Sequence, residues 1–195
     1  MSSLDANATL TDVAFAVCTA LERAGERAVL CGGSAATFYA PEMYESRDLD
    51  FVLQFGARAT TIDAALHQLG YIRAPETLYR HPETRFTVEF PAGPLAIGSE
   101  TITKYATERR GDLLLHVYTP TDVVRDRFMH YWAWGDQRAL RVALDVAATC
   151  ASTIDTASIR AWTDRELRDA PVYDRARRDH FLVELELAVT RRRLV

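Results

Sequence analysis

A short apolar run, Ala28 to Cys31, is closed by Gly32-Gly33-Ser34 and followed at once by a helical pattern over Ser34–Ala40 that Pro41 ends. A buried strand that enters a helix with only a glycine turn between them demands a covering layer, so this half of the chain has to be an α/β unit. The glycines let the backbone turn sharply and approach a neighbour closely. The first N–H groups of such a helix have no internal partner, and its dipole favours an anion there. Gly32 and Gly33 thus outline a phosphate seat, to which Ser34 adds a hydroxyl donor. No Gly-Lys-Ser/Thr follows and the three-glycine dinucleotide pattern is missing, and a Gly-Gly turn alone is more often structural than functional.

The next strand-like segment, Asp48 to Gln54, changes that balance. Leu49, Phe51 and Leu53 share one face, so Asp48 and Asp50 emerge together on the other. Like charges this close repel, and a divalent cation between them is the arrangement a folded protein tolerates best. Oxygen-only donors suit Mg²⁺, which commonly binds through one or two carboxylates plus substrate phosphates. A solvated acidic strand end is the plain alternative. Arg85 to Phe90 is a second alternating segment, with Phe86, Val88 and Phe90 inward and Glu89 beside Thr87 on the polar face. If it pairs next to Asp48–Gln54, Glu89 joins the same cluster; otherwise it is an edge-strand surface charge.

The rest of the chain frames these segments. Val13, Val17 and Leu21 recur every four residues over Thr11–Ala24, an amphipathic helix stopped by Gly25. Thr61–Leu69 is a further helix stopped by Gly70, and Leu113–Tyr118 a further apolar strand. Thr119-Pro120-Thr121-Asp122 combines a threonine cap, a first-turn proline and an acid three residues after the cap. From there the pattern is helical, through a Leu140, Ala143, Leu144, Ala147 stripe, Ala157–Arg168 and Arg175–Arg193. The expected organisation is an α/β half over residues 1–119 with a helical half, 120–195, packed on it.

Composition excludes several classes. With 195 residues, about half of them apolar, the chain suits one compact core and not a disordered segment. A formal charge of −4 argues against a protein that coats nucleic acid non-specifically, although a local basic groove stays open. Lys104 is the only lysine, so the positive charge is almost all arginine, which grips phosphate with a flat fork. Cys18, Cys31 and Cys150 are too few and too far apart for a disulfide framework or a paired metal motif. The first residues lack a signal-peptide pattern and no apolar run approaches a membrane span, so a cytoplasmic location is expected.

Gly33-Ser34 after a strand, Asp48-Leu49-Asp50 on the next, and Glu89 on a later one together resemble the nucleotidyltransferase superfamily of the polymerase β type. The resemblance implies a minimal nucleotidyltransferase fold, a short mixed sheet with helices, and transfer of a nucleoside monophosphate from an NTP to a hydroxyl. It makes Asp48 and Asp50 metal ligands and Glu89 the third acid, which helps activate the attacking hydroxyl. Thr119 to Arg127, with Tyr131-Trp132-Ala133-Trp134-Gly135-Asp136-Gln137-Arg138, looks like the AbiEii-type toxin branch. That similarity implies tRNA as acceptor and a cognate antitoxin as partner. The branch carries a lysine where Arg125 stands, which would make Arg125 a phosphate contact, and an aspartate that Asp136 matches. Two readings stay open for each: Arg125 is spaced to pair with Asp122 on its own helix, and Asp136 to act as an N-cap. Tyr131, Trp132 and Trp134 read as core rather than as base-stacking platforms.

Overall fold

A computed structural model describes residues 4–54, 58–75, 78–170 and 172–193; residues 1–3, within the stretch read as lacking a signal peptide, lie outside them. Helix α1, Leu10–Arg23, opens on a capping box in which Thr9 and Asp12 satisfy each other's backbone N–H groups. Its stripe of Val13, Val17 and Leu21 is fully buried. Strand β1, Ala28–Cys31, is buried throughout and runs into α2, Gly32–Tyr39. That helix starts two residues before the expected Ser34, because Gly32 itself, at φ +65°, makes the bend. β2 is Asp48–Leu53 and α3 is Ala59–His67. Four short strands follow: β3 Ile72–Arg73, β4 Tyr79–Arg80, β5 Thr87–Glu89 and β6 Ala96–Ile97. β7 Glu100–Thr101 pairs with β6 as a separate hairpin, and β8 Ala106–Arg110 turns back into β9, Leu113–Val117.

One mixed sheet has the order β3-β4-β5-β2-β1-β9-β8. β1 and β2 are antiparallel, with Cys31 opposite Asp50, while β2 and β5 run parallel. β9 lies parallel to β1 on its other side. The pairing on which the reading of Glu89 depended is present: the register places Asp48 against Thr87 and Asp50 against Glu89. β8 was not anticipated, since Ala106-Thr-Glu-Arg-Arg is half-buried only at its first residue and exposed after it. An edge strand with no buried face has no alternation to read.

The helical half is α4 Pro120–Trp134, α5 Gln137–Thr149, α6 Thr156–Asp169 and α7 Arg175–Arg193. Thr119 caps α4 with Pro120 in its first turn, and Gly135 ends it at φ +72°. α2 is the pivot of the molecule: it packs on β1 and β2 and also on α4 and α5. One hydrophobic core runs from Leu10 to Val189, and it includes Leu30 and Phe51 of the sheet together with Phe128, Trp132 and Trp162 of the helical half. The change of element type at residue 119 is thus no break in packing, and α4 is held against α2, the helix that starts at the glycine turn.

Candidate active site

Asp50 is the centre of the site. Its backbone N–H donates to Ser34 Oγ at 3.1 Å, and Ser34 Oγ donates to the Cys31 carbonyl at 2.8 Å. Ser34 is fully buried. Both capacities of its hydroxyl are used in tying α2 to β2, which corrects the expectation of a free donor for phosphate: what Ser34 supplies is the position of Asp50. Gly32 is required by the same geometry. A Cβ on it would stand 2.5 Å from Asp50 Oδ2, closer than any real carbon–oxygen contact. At Gly33 a Cβ would meet the Tyr44 hydroxyl at 3.0 Å and Ser46 Oγ at 3.2 Å, so the loop after α2 lies directly over the turn. Thr37 fastens that loop, accepting from the Ser46 N–H at 2.9 Å and donating to the Gly33 carbonyl at 3.0 Å. No side chain caps the first turn of α2, which leaves its N–H groups to other partners.

The acids gather at this point. Asp48 accepts a short hydrogen bond from the Thr87 hydroxyl across the β2–β5 ladder. Burial first, then the charge of Glu89, push the Asp50 carboxyl up to about 6; Arg127 pulls the other way, while Asp48 and Asp126 add to the rise. Among the described residues no three Asp, Glu, His or Cys side chains are grouped so as to enclose a metal ion. The donors nonetheless suit a hard cation. They are all oxygens, on neighbouring strands, and the carboxyl between them has its pKa raised by burial and by its acidic neighbours, a rise an added positive charge would offset. Cys31, opposite Asp50, is no nucleophile, since burial, with the charges of Asp126 and Asp50, raises its thiol well above the ordinary range.

The helical half supplies a cation, though not the expected one. Arg125 is 4% exposed. Its guanidinium lies 2.9 Å from Asp122, 3.1 Å from Glu100 of β7 and 4.6 Å above the Trp162 ring, so the pairing with Asp122 foreseen as its alternative role is the one realised. Arg127 is the arginine whose charge acts on Asp50. Its Nη2 bonds Asp126 Oδ2 at 2.7 Å, and Asp50 acts on it electrostatically: burial works against its charge, but Asp126 and Asp50 outweigh that and raise its pKa. Two residues apart on a helix are about 200° apart around its axis. Only one of Arg125 and Arg127 can face α2, and nothing in the local sequence says which. Asp136 is the N-cap of α5, accepting from the N–H groups of Arg138 at 2.9 Å and Ala139 at 3.2 Å. Tyr131 and Trp132 are core as expected, whereas Trp134 is 74% exposed.

No family model matches the sequence, and neither does any curated protein. Among solved structures, the crystal structure of an antigenic nucleotidyltransferase-like protein from Paracoccidioides brasiliensis aligns over 95% of this chain and 94% of that one, at 12% identity and a TM-score of 0.60. The solution structure of the antibiotic-resistance factor ANT(2'')-Ia aligns over 79% of this chain and 94% of that one, at 13% identity and a TM-score of 0.41. A crystal structure of ANT(2")-Ia in complex with adenylyl-2"-tobramycin aligns over 79% of this chain and 98% of that one, at 13% identity and 0.42. The fold, from α1 to α7, is that of a nucleotidyltransferase-like protein.

Proposed function

We infer that the chain transfers a nucleoside monophosphate from an NTP to a hydroxyl group, with RNA as the acceptor class. The observation that carries this is the register of the parallel β2–β5 pair, which sets Asp50 beside Glu89 with Asp48 on the same face, next to a glycine turn and an arginine from α4. The N–H groups at the start of α2 would bind phosphate oxygens, and Arg127 would offset their charge. Asp48, Asp50 and Glu89 would hold Mg²⁺, which when bound neutralises the triphosphate and aligns the attacking and leaving oxygens. Glu89 would take the proton from the acceptor hydroxyl as its oxygen bonds the α-phosphorus and pyrophosphate departs.

Incubation with each labelled NTP, Mg²⁺ and total RNA tests this directly. Label should enter RNA with the wild type and fail to do so with Asp50→Ala or with metal chelated. Absence of label in RNA from every NTP would sink the RNA acceptor. The finer part of the proposal, that the protein is the toxin of a toxin–antitoxin pair acting on tRNA, rests on the sequence resemblance of the segment from Thr119 to Arg138. Expression without a partner should then arrest growth, and Asp50→Ala should restore it.

One observation favours a second reading, a small-molecule hydroxyl as acceptor. Many arginines that could grip a polyanion are already engaged by acids: Arg27 by Glu22, Arg85 by Glu45, Arg110 by Asp12 and Arg165 by Glu100. Label in added aminoglycoside or nucleoside, with none in RNA, would establish that reading instead.

A further inference from the structure

Arg127, His130 and Trp134 form one stripe along α4, because residues three and seven apart fall on the same side of a helix. The stripe is physically connected. Arg127 Nη2 lies 3.2 Å from His130 Nε2, and since arginine only donates, that nitrogen accepts. The His130 ring then meets the Trp134 ring edge to face, with centroids 5.0 Å apart and planes at 68°. At its inner end Arg127 is bonded to Asp126 at 2.7 Å, and its charge acts on the Asp50 carboxylate. At its outer end Trp134 is 74% exposed, although Phe128 and Trp132 of the same helix are buried. From Arg127 to Trp134 the helix rises about 10 Å. A second contact ties this end of α4 to the glycine turn: Arg138, just past Trp134, lies 5.1 Å over the ring of Tyr44, the residue whose hydroxyl covers Gly33.

The geometry points to Trp134, braced by His130, as the platform on which the base of the donor nucleotide stacks. This rests on the nucleotidyltransferase assignment proposed above. With phosphates at Arg127 and the start of α2, the ribose spans the His130 segment and the base arrives at the tryptophan. A flat aromatic face gives stacking energy without reading hydrogen-bonding edges, so the platform favours large bases and tolerates either purine. His130 acts here as a positioning residue: its imidazole sets the indole plane and does not touch the nucleotide's reacting atoms.

The protein holds three tryptophans, and Trp132 and Trp162 are buried at 1% and 0% exposure, so a ligand at the site reports mainly through Trp134. The experiment titrates intact protein, in Mg²⁺, with ATP and separately with tripolyphosphate, following fluorescence and heat of binding. ATP should quench the emission, while tripolyphosphate should bind without quenching. Trp134→Ala, at an exposed position, should fold normally, bind ATP about tenfold more weakly and bind tripolyphosphate unchanged. Trp134→Phe should recover most of the ATP affinity. Equal ATP affinity in wild type and Trp134→Ala, or a loss confined to acceptor RNA, would overturn the platform while leaving the nucleotidyltransferase assignment standing. A wild type that binds neither ATP nor tripolyphosphate would overturn both.

Discussion

At position 32 the structure leaves no room for a single methyl group. Gly32 combines a left-handed backbone with a Cβ direction that ends 2.5 Å from Asp50 Oδ2. Gly32→Ala should therefore leave the fold in place, at a cost of about 1–2 kcal/mol, and lower transfer about a hundredfold by moving the carboxylate; circular dichroism and the transfer assay together test this. Asp50 carries its own signature. Its folded value of about 6 lies above the ordinary 3.8, so the folded state binds more protons and stability falls as pH rises between those values. Asp50→Asn removes that penalty. The variant should match the wild type near pH 4 and exceed it above pH 6 by up to roughly 3 kcal/mol in metal-free buffer. It should also have lost transfer. A stability difference that is flat with pH would show that Asp50 titrates normally.

At the scale of elements, α4 does two jobs with two arginines. On one side Arg125 joins Asp122 and Glu100, while Glu166 accepts from the Ser99 N–H and hydroxyl and from Trp162 Nε1, pinning the β6–β7 hairpin to α4 and α6. On the other side Arg127 is bonded to Asp126 and acts electrostatically on Asp50. Arg125→Ala leaves buried Asp122 without its cation and should cost about 3 kcal/mol, a drop of several degrees in Tm, with activity per folded molecule little changed. Arg127→Ala should do the reverse, keeping Tm within a few degrees and losing most transfer. Exchange of these two outcomes would mean that α4 docks by its other face.

For the whole molecule, the question is whether a chain of charge −4 can hold RNA. Of the arginines that flank the two halves in sequence, Arg110 is held by Asp12 of α1, whereas Arg138 lies over the ring of Tyr44, whose hydroxyl covers Gly33. If RNA is the acceptor, its grip falls to α5. Transfer with saturating NTP should then drop steeply with added salt, since each phosphate contact releases counterions. Charge reversal at Arg138 and Arg141 should weaken RNA binding. A shallow salt response with full activity in the double variant would transfer the acceptor to the small-molecule class.

Much of this was legible beforehand, for reasons that are local. Alternation and capping are properties of neighbouring residues, so β1, β2, β9, α6, α7 and the start of α4 could be placed within a residue or two, and the same-face relation of Asp48 and Asp50 follows from the strand period alone. Edge strand β8, with no buried face, left no such trace, and neither did the two-residue strands β3 and β4, too short to show a period. Which strand lies beside β2, and in what register, required the assembled sheet, because pairing partners thirty-nine residues apart share no local signal. The inward face of a helix and the burial of a hydroxyl are likewise decided by what docks against them. The sequence by itself therefore determined the longer elements with a buried face and which acids β2 and β5 present. Only the tertiary structure decided that Arg127 and not Arg125 is the arginine whose charge acts on Asp50, that Ser34 is a brace for Asp50, and that Trp134 is left facing solvent.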